Sequence, residues 1–194
     1  MSGGSNASNP ANATPVYLGG GSFANVTASQ YAQIKVGSGV FSGLSVNTVG
    51  TTSAAAFYDG ISQTATMTIA APGVVTVGAS PAPGSAVVFE TTGALPTGLT
   101  AGVPVYVSIT SWTATTFKLS DTKAHALAGT NLITTSGSQS GVHTAWDVSN
   151  PIGTWSTTAQ DNLPLGTNGV LFTAGLIAFT SDGGGAANLT VMYR

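Results

Sequence analysis

Short apolar or alternating runs, each closed by Gly, Pro, Asn or Asp, follow one another from about residue 30 to residue 194. Runs of this length between turn residues are typical of β-strands, and residues 105–109 also have the β-branched and aromatic composition that strands favour. The pattern predicts strands at Gln30–Val36, Val40–Val46, Ala54–Asp59, Thr66–Ala70, Val74–Val77, Ala86–Glu90, Val105–Ile109, Thr116–Leu119, Leu132–Thr134, Thr144–Val148, Gly169–Thr173, Leu176–Thr180 and Asn188–Tyr193.

Helical signals are almost absent from the chain. No window combines helix caps with apolar residues at i, i+3, i+4 and i+7. The 26 Gly and 9 Pro residues would interrupt most helices longer than two turns. A short segment, Asp121–Ala128, is the exception that permits a helix. The sequence therefore predicts an all-β fold with many short strands.

Residues 1–30 differ from the rest because they are small, polar and rich in Gly, Asn and Pro. A segment with so few apolar side chains buries too little surface to offset the entropy of ordering it alone. We therefore predict an extended N-terminal arm over residues 1–30. Its apolar anchors are Val16, Tyr17, Leu18, Phe23 and Val26.

The remaining chain divides into two predicted units. Residues 31–68 and 147–194 supply complementary strands for one discontinuous β-sandwich body. Residues 69–146 have their own rhythm of strands and turns, and Pro/Gly breaks around Pro72 and Pro83 mark its start. Insertion into an exposed loop is tolerated because closing a longer loop costs little. The prediction is a β-sandwich with a small inserted β-domain and the N-terminal arm.

Charge is scarce, with four basic and six acidic residues in 194, or 5% of the chain. Soluble domains are typically about 25% charged. A compact monomer of this mass would expose roughly 8,000 Å², which leaves about one charge per 800 Å². Either uncharged polar residues cover the surface, or much of it lies against other subunits. The second alternative favours an assembly subunit over a solitary enzyme.

Composition also argues against several classes of function. Only four residues are basic and the net charge is −2, so the chain lacks the positive surface that nucleic acid requires. Cysteine is absent, which removes disulfides and thiolate metal sites. No apolar run approaches the roughly 18 residues of a membrane span, and we expect neither a secretory signal nor a membrane partner.

No catalytic, cofactor-binding or metal-ligating residue is predicted. The six acids stand singly beside Gly, Thr, Ser or Asn, where Asp commonly bonds nearby backbone. Two histidines, His125 and His143, without cysteine argue against a zinc site made by protein ligands alone. A Ser/His/Asp triad stays open as an alternative because its members are present, although no G-x-S-x-G motif accompanies them. The acids are Asp59, Glu90, Asp121, Asp147, Asp161 and Asp182.

Residues 35–47, 57–60, 169–175 and 189–194 of the two outer blocks contain short Gly-based strand motifs, a Tyr-Asp-Gly turn and a terminal Val-Met-Tyr-Arg. In these motifs the blocks resemble small β-sandwich proteins of tailed-bacteriophage virions. Those proteins share a G-x-G-x-L-x-x-I-x-V-N strand pair, a YD turn, a GL strand and a terminal V-x-Y-R. The segment between the blocks resembles a second phage module that recurs in head-decoration, tail and fibre proteins. The similarity covers roughly residues 31–194. It is carried by residues 35–47, 57–60, 169–175 and 189–194 in the body, and by 88–99, 105–107, 116–120 and 141–144 in the insert.

The resemblance implies a non-enzymatic virion structural protein, and most specifically a capsid decoration (cement) protein. Its expected partners are the major capsid protein and further copies of itself, in a homo-oligomer for which a trimer is one option. Its expected location is the virion, assembled in the host cytoplasm. No cofactor is implied. The interaction residues that we predict are Val16, Tyr17, Leu18, Phe23, Trp112 and Trp155.

Two alternatives remain from other classes. A tail or fibre component could bind a host-surface glycan by stacking sugars on Trp112, Trp146 or Trp155, although such residues more often fill a core edge or a subunit contact. A carbohydrate-active or peptidase domain is disfavoured because no carboxylate pair or triad signature is present.

Overall fold

The computed structural model describes residues 21–26, 31–50, 54–158, 162–165, 168–181 and 188–194. Within these ranges the protein is nearly all β, which confirms the predicted fold class. The elements are β1 (Ser22–Val26), β2 (Tyr31–Val36), β3 (Gly39–Thr48), β4 (Ala54–Asp59), β5 (Ser62–Met67), β6 (Val75–Thr76), β7 (Ala86–Thr91), β8 (Val105–Val107), β9 (Thr116–Phe117), β10 (Leu119–Ser120), α1 (Lys123–Ala128), β11 (His143–Asp147), β12 (Pro151–Ser156), β13 (Asn162–Pro164), β14 (Val170–Phe172), β15 (Gly175–Thr180) and β16 (Asn188–Tyr193).

These strands form three antiparallel sheets. The outer sheet has the order β1, β16, β3, β13, and β14 also pairs with β3. The middle sheet has the order β12, β4, β15, β2. The insert sheet has the order β10, β8, β7, β11, β5, β6, β9. Its two ends approach each other because β9 and β10 are separated only by Lys118, so the insert sheet is nearly closed.

The outer and middle sheets form a sandwich around a shared core. Phe41 of β3 and Phe57 of β4 stack across that core with ring centroids 4.6 Å apart, and both side chains are fully buried. Alternation along β16 places Leu189 and Val191 in the same core. The insert sheet has a separate interior, which contains Phe89, Phe117 and Leu119 among other buried residues.

A third apolar cluster joins the middle sheet to the insert sheet. Ile177 of β15 is fully buried against Val88 and Trp146 of the insert sheet. Tyr31 of β2 stacks on Trp146, with ring centroids 5.7 Å apart. The middle sheet is therefore covered on both faces, by the sandwich core on one side and by the insert sheet on the other.

The chain crosses between these units at a tightly packed junction. A Cβ added to Gly60 would lie 2.1 Å from the carbonyl oxygen of Asp147, so only glycine fits. The side chain of Gln33 accepts a hydrogen bond from the amide of Ser62 at 2.7 Å and donates to the Gly60 carbonyl at 3.4 Å. The amide of Asp147 also donates to the Ile61 carbonyl at 3.1 Å. Contacts from both units thus fix the start of the insert.

Two strands lie outside the units that the sequence pattern assigned to them. Residues 22–26 were predicted as part of the arm, yet they form β1, which pairs with β16 and buries Val26. Residues 62–67 fall in the predicted body, yet β5 pairs with β11 and β6 of the insert sheet. The division into arm, body and inserted domain remains a prediction. In terms of sheet membership, the insert begins after Gly60 and ends at Asp147.

Smaller differences concern single elements. Residues 132–134, predicted as a strand, contribute only an isolated bridge between Leu132 and Ser120. The helix-permissive segment does form α1, because Thr122 caps it by accepting a hydrogen bond from the amide of His125. Gly129 then ends the helix in the left-handed conformation, at φ 70°.

Candidate functional site

Half of the predicted interaction residues lie outside the described part of the chain, namely Val16, Tyr17 and Leu18. Phe23 lies on β1 opposite Met192, and half of its side-chain surface is exposed. Trp155 packs edge-on against Phe41 and Phe57 at the sandwich core, with ring centroids 5.7 and 5.4 Å away. Trp112 lies far from both in the fold, on an exposed turn of the insert. The structure therefore does not bring these residues together in one site.

The outer sheet carries a surface of a different kind. None of its described strands, β1, β3, β13, β14 and β16, contains a charged residue. Arg194 follows β16 directly and exchanges two backbone hydrogen bonds with Val40 at the end of the sheet. Because Val26, Leu189 and Val191 point into the core, alternation turns their neighbours to the opposite face. We call this surface the polar face, and its residues are Asn25, Ser45, Asn47, Asn188 and Thr190.

Side chains of the polar face bond to one another across strands. The side-chain Nδ2 of Asn47 donates to the Thr190 hydroxyl at 2.8 Å and to the side-chain Oδ1 of Asn188 at 3.2 Å. Within β3, the Ser45 hydroxyl donates to the side-chain Oδ1 of Asn47 at 3.3 Å. These bonds hold uncharged donors and acceptors in fixed positions on a sheet. Such a surface can contact another protein without removing a charge from water.

Asp59 is the acid with the most hydrogen bonds among the described residues, and its role is structural. Its carboxylate accepts from the amides of Thr173, Ala174 and Gly175 at 2.9, 2.7 and 3.2 Å, and from the Thr173 hydroxyl at 2.9 Å. Partial burial alone would raise the pKa of Asp59, but these hydrogen bonds outweigh it and lower the pKa below its ordinary value. Asp59 thus fixes the turn between β14 and β15.

His125 and Asp121 form an exposed pair on the insert. The Nδ1 atom of His125 lies 2.6 Å from the Asp121 carboxylate and 3.1 Å from the Asn131 amide nitrogen. The hydrogen bond with His125 holds the pKa of Asp121 below its usual value. Within the described residues, no serine or threonine hydroxyl bonds to the His125 ring. The pair therefore lacks the hydroxyl that a triad needs next to its imidazole.

His143 is the first residue of β11, where it pairs with Ala65 of β5 and Thr91 of β7. Its side chain is buried, and Nδ1 lies 2.9 Å from the Thr91 hydroxyl. An open cleft of about 300 Å³ adjoins it, between Thr64–Met67 and Gln139–His143. The buried side-chain Oε1 of Gln139 has no hydrogen-bond partner among the described residues, while its side-chain Nε2 donates to the backbone carbonyl of Met67 at 2.7 Å. Among the groups at this cleft, no carboxylate reaches His143.

Within the described ranges, no three His, Cys, Asp or Glu residues cluster in a way that could hold a metal ion. The same part of the chain contains no helix with the length and apolarity needed to cross a bilayer. None of the known family models, curated proteins or solved structures matches this chain. Functional inference therefore depends on the surfaces described above.

Sequence reasoning missed the polar face, although a signal for it was present. Residues of β3 and β16 alternate between apolar and small uncharged polar types, as in Leu189-Thr190-Val191. That alternation indicates a sheet with one buried face. The absence of charge from every strand of the outer sheet becomes visible only when the pairing of strands far apart in sequence is known.

Proposed function

We propose that this chain is a non-enzymatic structural subunit of a tailed-bacteriophage particle, specifically a capsid decoration protein that binds the major capsid lattice. It would act in the virion after assembly in the host cytoplasm. The observation that carries the proposal is the complete lack of charge in the described strands of the outer sheet. The sequence resemblance to virion β-sandwich proteins supports the same class.

An uncharged sheet face suits a permanent contact. The fully buried centre of a protein interface is depleted of charged residues, because a charge that loses water and finds no partner costs several kcal/mol. The amides and hydroxyls of the polar face can instead exchange water for hydrogen bonds with the lattice at little net cost. Phe23 and Leu171, which are 50% and 76% exposed, add apolar area on the outer sheet.

Binding of many linked copies allows weak individual contacts to give stable attachment to the lattice. If copies of the chain associate in a symmetric oligomer, each bound copy raises the effective concentration of the next at its own lattice position. Contacts that are weak singly then give stable occupancy. The proposal therefore includes self-association.

The N-terminal segment is the second contact in this proposal. Residues 1–20 precede β1, which is the edge strand of the outer sheet. Twenty residues can span at most ~70 Å when extended, so they can reach beyond the subunit that carries them. We infer that residues 16–18 anchor to a neighbouring protein, where their backbone groups could be satisfied by added strand pairing.

A charge placed on the polar face tests the lattice contact. We expect Thr190→Lys to lower occupancy on undecorated heads of the phage at least tenfold, because the ammonium group would lose water in the interface. The melting temperature should change little, since Thr190 points away from the core. Ser138→Lys adds the same charge to an exposed loop of the insert and should leave occupancy unchanged. Equal occupancy for both variants would exclude the polar face as the contact.

Truncation tests the N-terminal segment separately. Deletion should stop before Gly21, because β1 belongs to the sandwich. The variant lacking residues 1–20 should keep its circular dichroism spectrum and bind undecorated heads more weakly than the full chain. Undiminished occupancy would mean that the segment is not an anchor.

The non-enzymatic part of the proposal has its own test. His125→Ala and His143→Ala together should leave head binding and infectivity unchanged in the folded double variant, since neither imidazole has both a carboxylate and a hydroxyl partner among the described residues. Loss of infectivity with normal occupancy would indicate chemistry at one of these residues.

A further inference from the structure

The three tryptophans differ sharply in exposure. Trp146 is 8% exposed in the cluster beneath the insert sheet, and Trp155 packs against the sandwich core. Trp112 is 40% exposed, on the turn between β8 and β9. Trp112 is therefore the tryptophan whose ring is available to a ligand.

The ring of Trp112 is held in place. Its Nε1 donates to the Pro81 carbonyl at 2.8 Å, so the indole is tied to the opposite turn of the insert. The preceding residue, Ser111, has a positive φ of 56°, which is uncommon for a residue other than glycine. Because the one polar atom of the ring is bonded, Trp112 offers a carbon surface in a fixed orientation. A fixed aromatic surface loses little conformational entropy on binding.

Apolar neighbours extend this surface. Leu127, 51% exposed, lies over Gly84, three residues beyond Pro81, and a Cβ at Gly84 would come 2.9 Å from it. Ile109, 54% exposed, accepts at its carbonyl from the amide of Trp112, although at a long 3.5 Å. Trp112 and Leu127 thus contact the two ends of the Pro81–Gly84 turn, and we call the exposed residues around this turn the platform.

Two of the chain's four basic residues flank the platform. The Lys118 ammonium group lies 3.4 Å from the Ser111 hydroxyl, beside Trp112. Lys123 is exposed and lies four residues before Leu127, on the same face of α1. Asp121, the nearest acid in sequence, is bonded to His125. The platform therefore combines an aromatic surface with two positive charges and the Asp121 carboxylate, which lies between the two lysines in sequence.

We propose that this Trp112 platform, formed by Pro81, Trp112, Leu127, Lys118 and Lys123, binds an acidic polysaccharide. The apolar face of a sugar ring stacks on the indole, and carboxylate or phosphate groups along the polymer pair with the two ammonium groups. An acidic peptide would satisfy the lysines but would leave the flat carbon surface of Trp112 without a matching partner. The site lies on the insert and does not depend on what the polar face binds.

Affinity electrophoresis of the full-length protein in native gels tests this site. The probes are polygalacturonate, which carries a carboxylate on each sugar, a phosphate-bearing polysaccharide, and neutral dextran. We expect polygalacturonate to retard the protein, with the phosphate-bearing polymer equal or stronger, and dextran to have no measurable effect. Equal retardation by dextran, or none by either acidic polymer, would overturn the proposal.

Variants separate stacking from general charge attraction. Trp112→Ala should weaken binding about tenfold, and Trp112→Phe should restore part of it. Lys118→Ala and Lys123→Ala should each weaken binding about threefold. Lys35→Ala removes the same charge from β2 of the body and is the matched control. If Lys35→Ala weakens binding as much as Lys118→Ala, the attraction is non-specific and the site is wrong.

A competitor distinguishes the macromolecular classes. Poly-glutamate should displace polygalacturonate only at large excess. If poly-glutamate binds the wild-type protein equally well and Trp112→Ala does not change that binding, the ligand is an acidic peptide and the proposal fails. The lysine variants should melt at the wild-type temperature, because the lysine side chains lie on the surface. Trp112→Ala loses the hydrogen bond to Pro81 and should keep the wild-type circular dichroism spectrum. These measurements need no virion, so their outcome is independent of the capsid proposal.

Discussion

The two outward faces of the sandwich contrast strongly. The face of the outer sheet presents Asn, Ser and Thr side chains that bond to one another. The corresponding face of the middle sheet presents aromatic and aliphatic side chains, and the insert sheet covers much of it. We call the second surface the aromatic face; its residues are Tyr31, Tyr58, Ile177 and Phe179.

This contrast explains how the chain tolerates so few charges. The aromatic face avoids water because part of the same chain folds over it, so it needs no charge for solubility. The polar face remains compatible with water through neutral hydrogen-bonding groups. Its composition also suits burial against another protein. The insert is therefore a covering layer of the sandwich, in addition to carrying its own core.

Removal of the insert should give the largest effect. Replacing residues 61–147 with a short Gly-Ser linker is geometrically simple, because the backbones of Gly60 and Asp147 touch. We expect the product to aggregate, since deletion exposes Tyr31, Tyr58 and Ile177 together as one apolar patch. Size-exclusion chromatography and light scattering measure the outcome.

A companion variant identifies the cause. The same deletion with Ile177→Thr and Phe179→Thr keeps β-propensity and makes the aromatic face more polar. We expect this version to recover soluble protein with a β-type circular dichroism spectrum. A soluble monomer from the simple deletion would show that the aromatic face does not need the insert.

Replacing one side chain on each face with alanine should show the same difference between the two faces, as a difference in the free energy of unfolding. Ile177→Ala removes a fully buried side chain between the middle and insert sheets and should lower the free energy of unfolding by about 3 kcal/mol. Asn25→Ala on the exposed polar face should change it by no more than about 0.5 kcal/mol. Urea denaturation gives both values. Similar losses at the two positions would contradict the assignment of one face as covered.

Local sequence pattern was enough to predict part of this fold. The predicted strands at residues 54–59 and 188–193 coincide with β4 and β16, because the first is a short apolar run closed by Asp59 and Gly60 and the second alternates at Leu189-Thr190-Val191. The continuous apolar run of β15, Leu176-Ile177-Ala178-Phe179, is typical of a strand buried on both faces. That run was the available signal for a covering layer on the middle sheet.

Other elements depend on partners that are distant in sequence. β1 contains Ser22 and Asn25 and is a strand because it pairs with β16, more than 160 residues away. β12 contains Pro151 and Gly153, which normally weaken a strand, and it occupies the edge of the middle sheet, where proline is tolerated. β5 joins the insert sheet through pairing with β11. Local periodicity carries no information about such pairings.

The candidate sites show the same limit. The sequence identifies Trp112 and Trp155 as candidate interaction residues. It does not show which ring is exposed and which packs at the core, because both residues stand among small polar residues. The choice depends on Pro81, 31 residues before Trp112, and on Phe41 and Phe57 around Trp155. Tertiary contacts decide which ring is available.

Substitution of Asp59 should weaken the end of the sandwich next to the junction of Gly60 and Asp147. It changes no residue of the polar face or the aromatic face. Asp59→Asn replaces a carboxylate that accepts four hydrogen bonds and should cost about 1 kcal/mol near neutral pH, given its partial exposure to water. The folded-state pKa of Asp59 is lowered, so its contribution is complete above the unfolded pKa of about 4 and disappears as pH falls through the folded-state value. The stability difference from wild type, measured in urea, should therefore shrink between pH 6 and pH 2. A difference that is constant over this range would mean that the carboxylate charge is not involved.

Tyrosine ionisation gives the smallest and most local test of the aromatic face. Burial, followed by the charges of Tyr58 and Glu90, raises the pKa of Tyr31 to about 12, and burial also raises the pKa of Tyr58. Because the folded-state pKa exceeds the unfolded value of 10, the contribution of Tyr31 to stability is complete below pH 10 and is lost as pH rises through about 12. In an ultraviolet titration, part of the tyrosine absorbance change should therefore occur only well above pH 10. Tyr31→Phe should reduce that part. In the insert deletion that carries Ile177→Thr and Phe179→Thr, Tyr31 and Tyr58 should ionise near their ordinary pKa of 10. Late ionisation that persists without the insert would show that the middle sheet itself, and not the covering layer, shields the aromatic face from water.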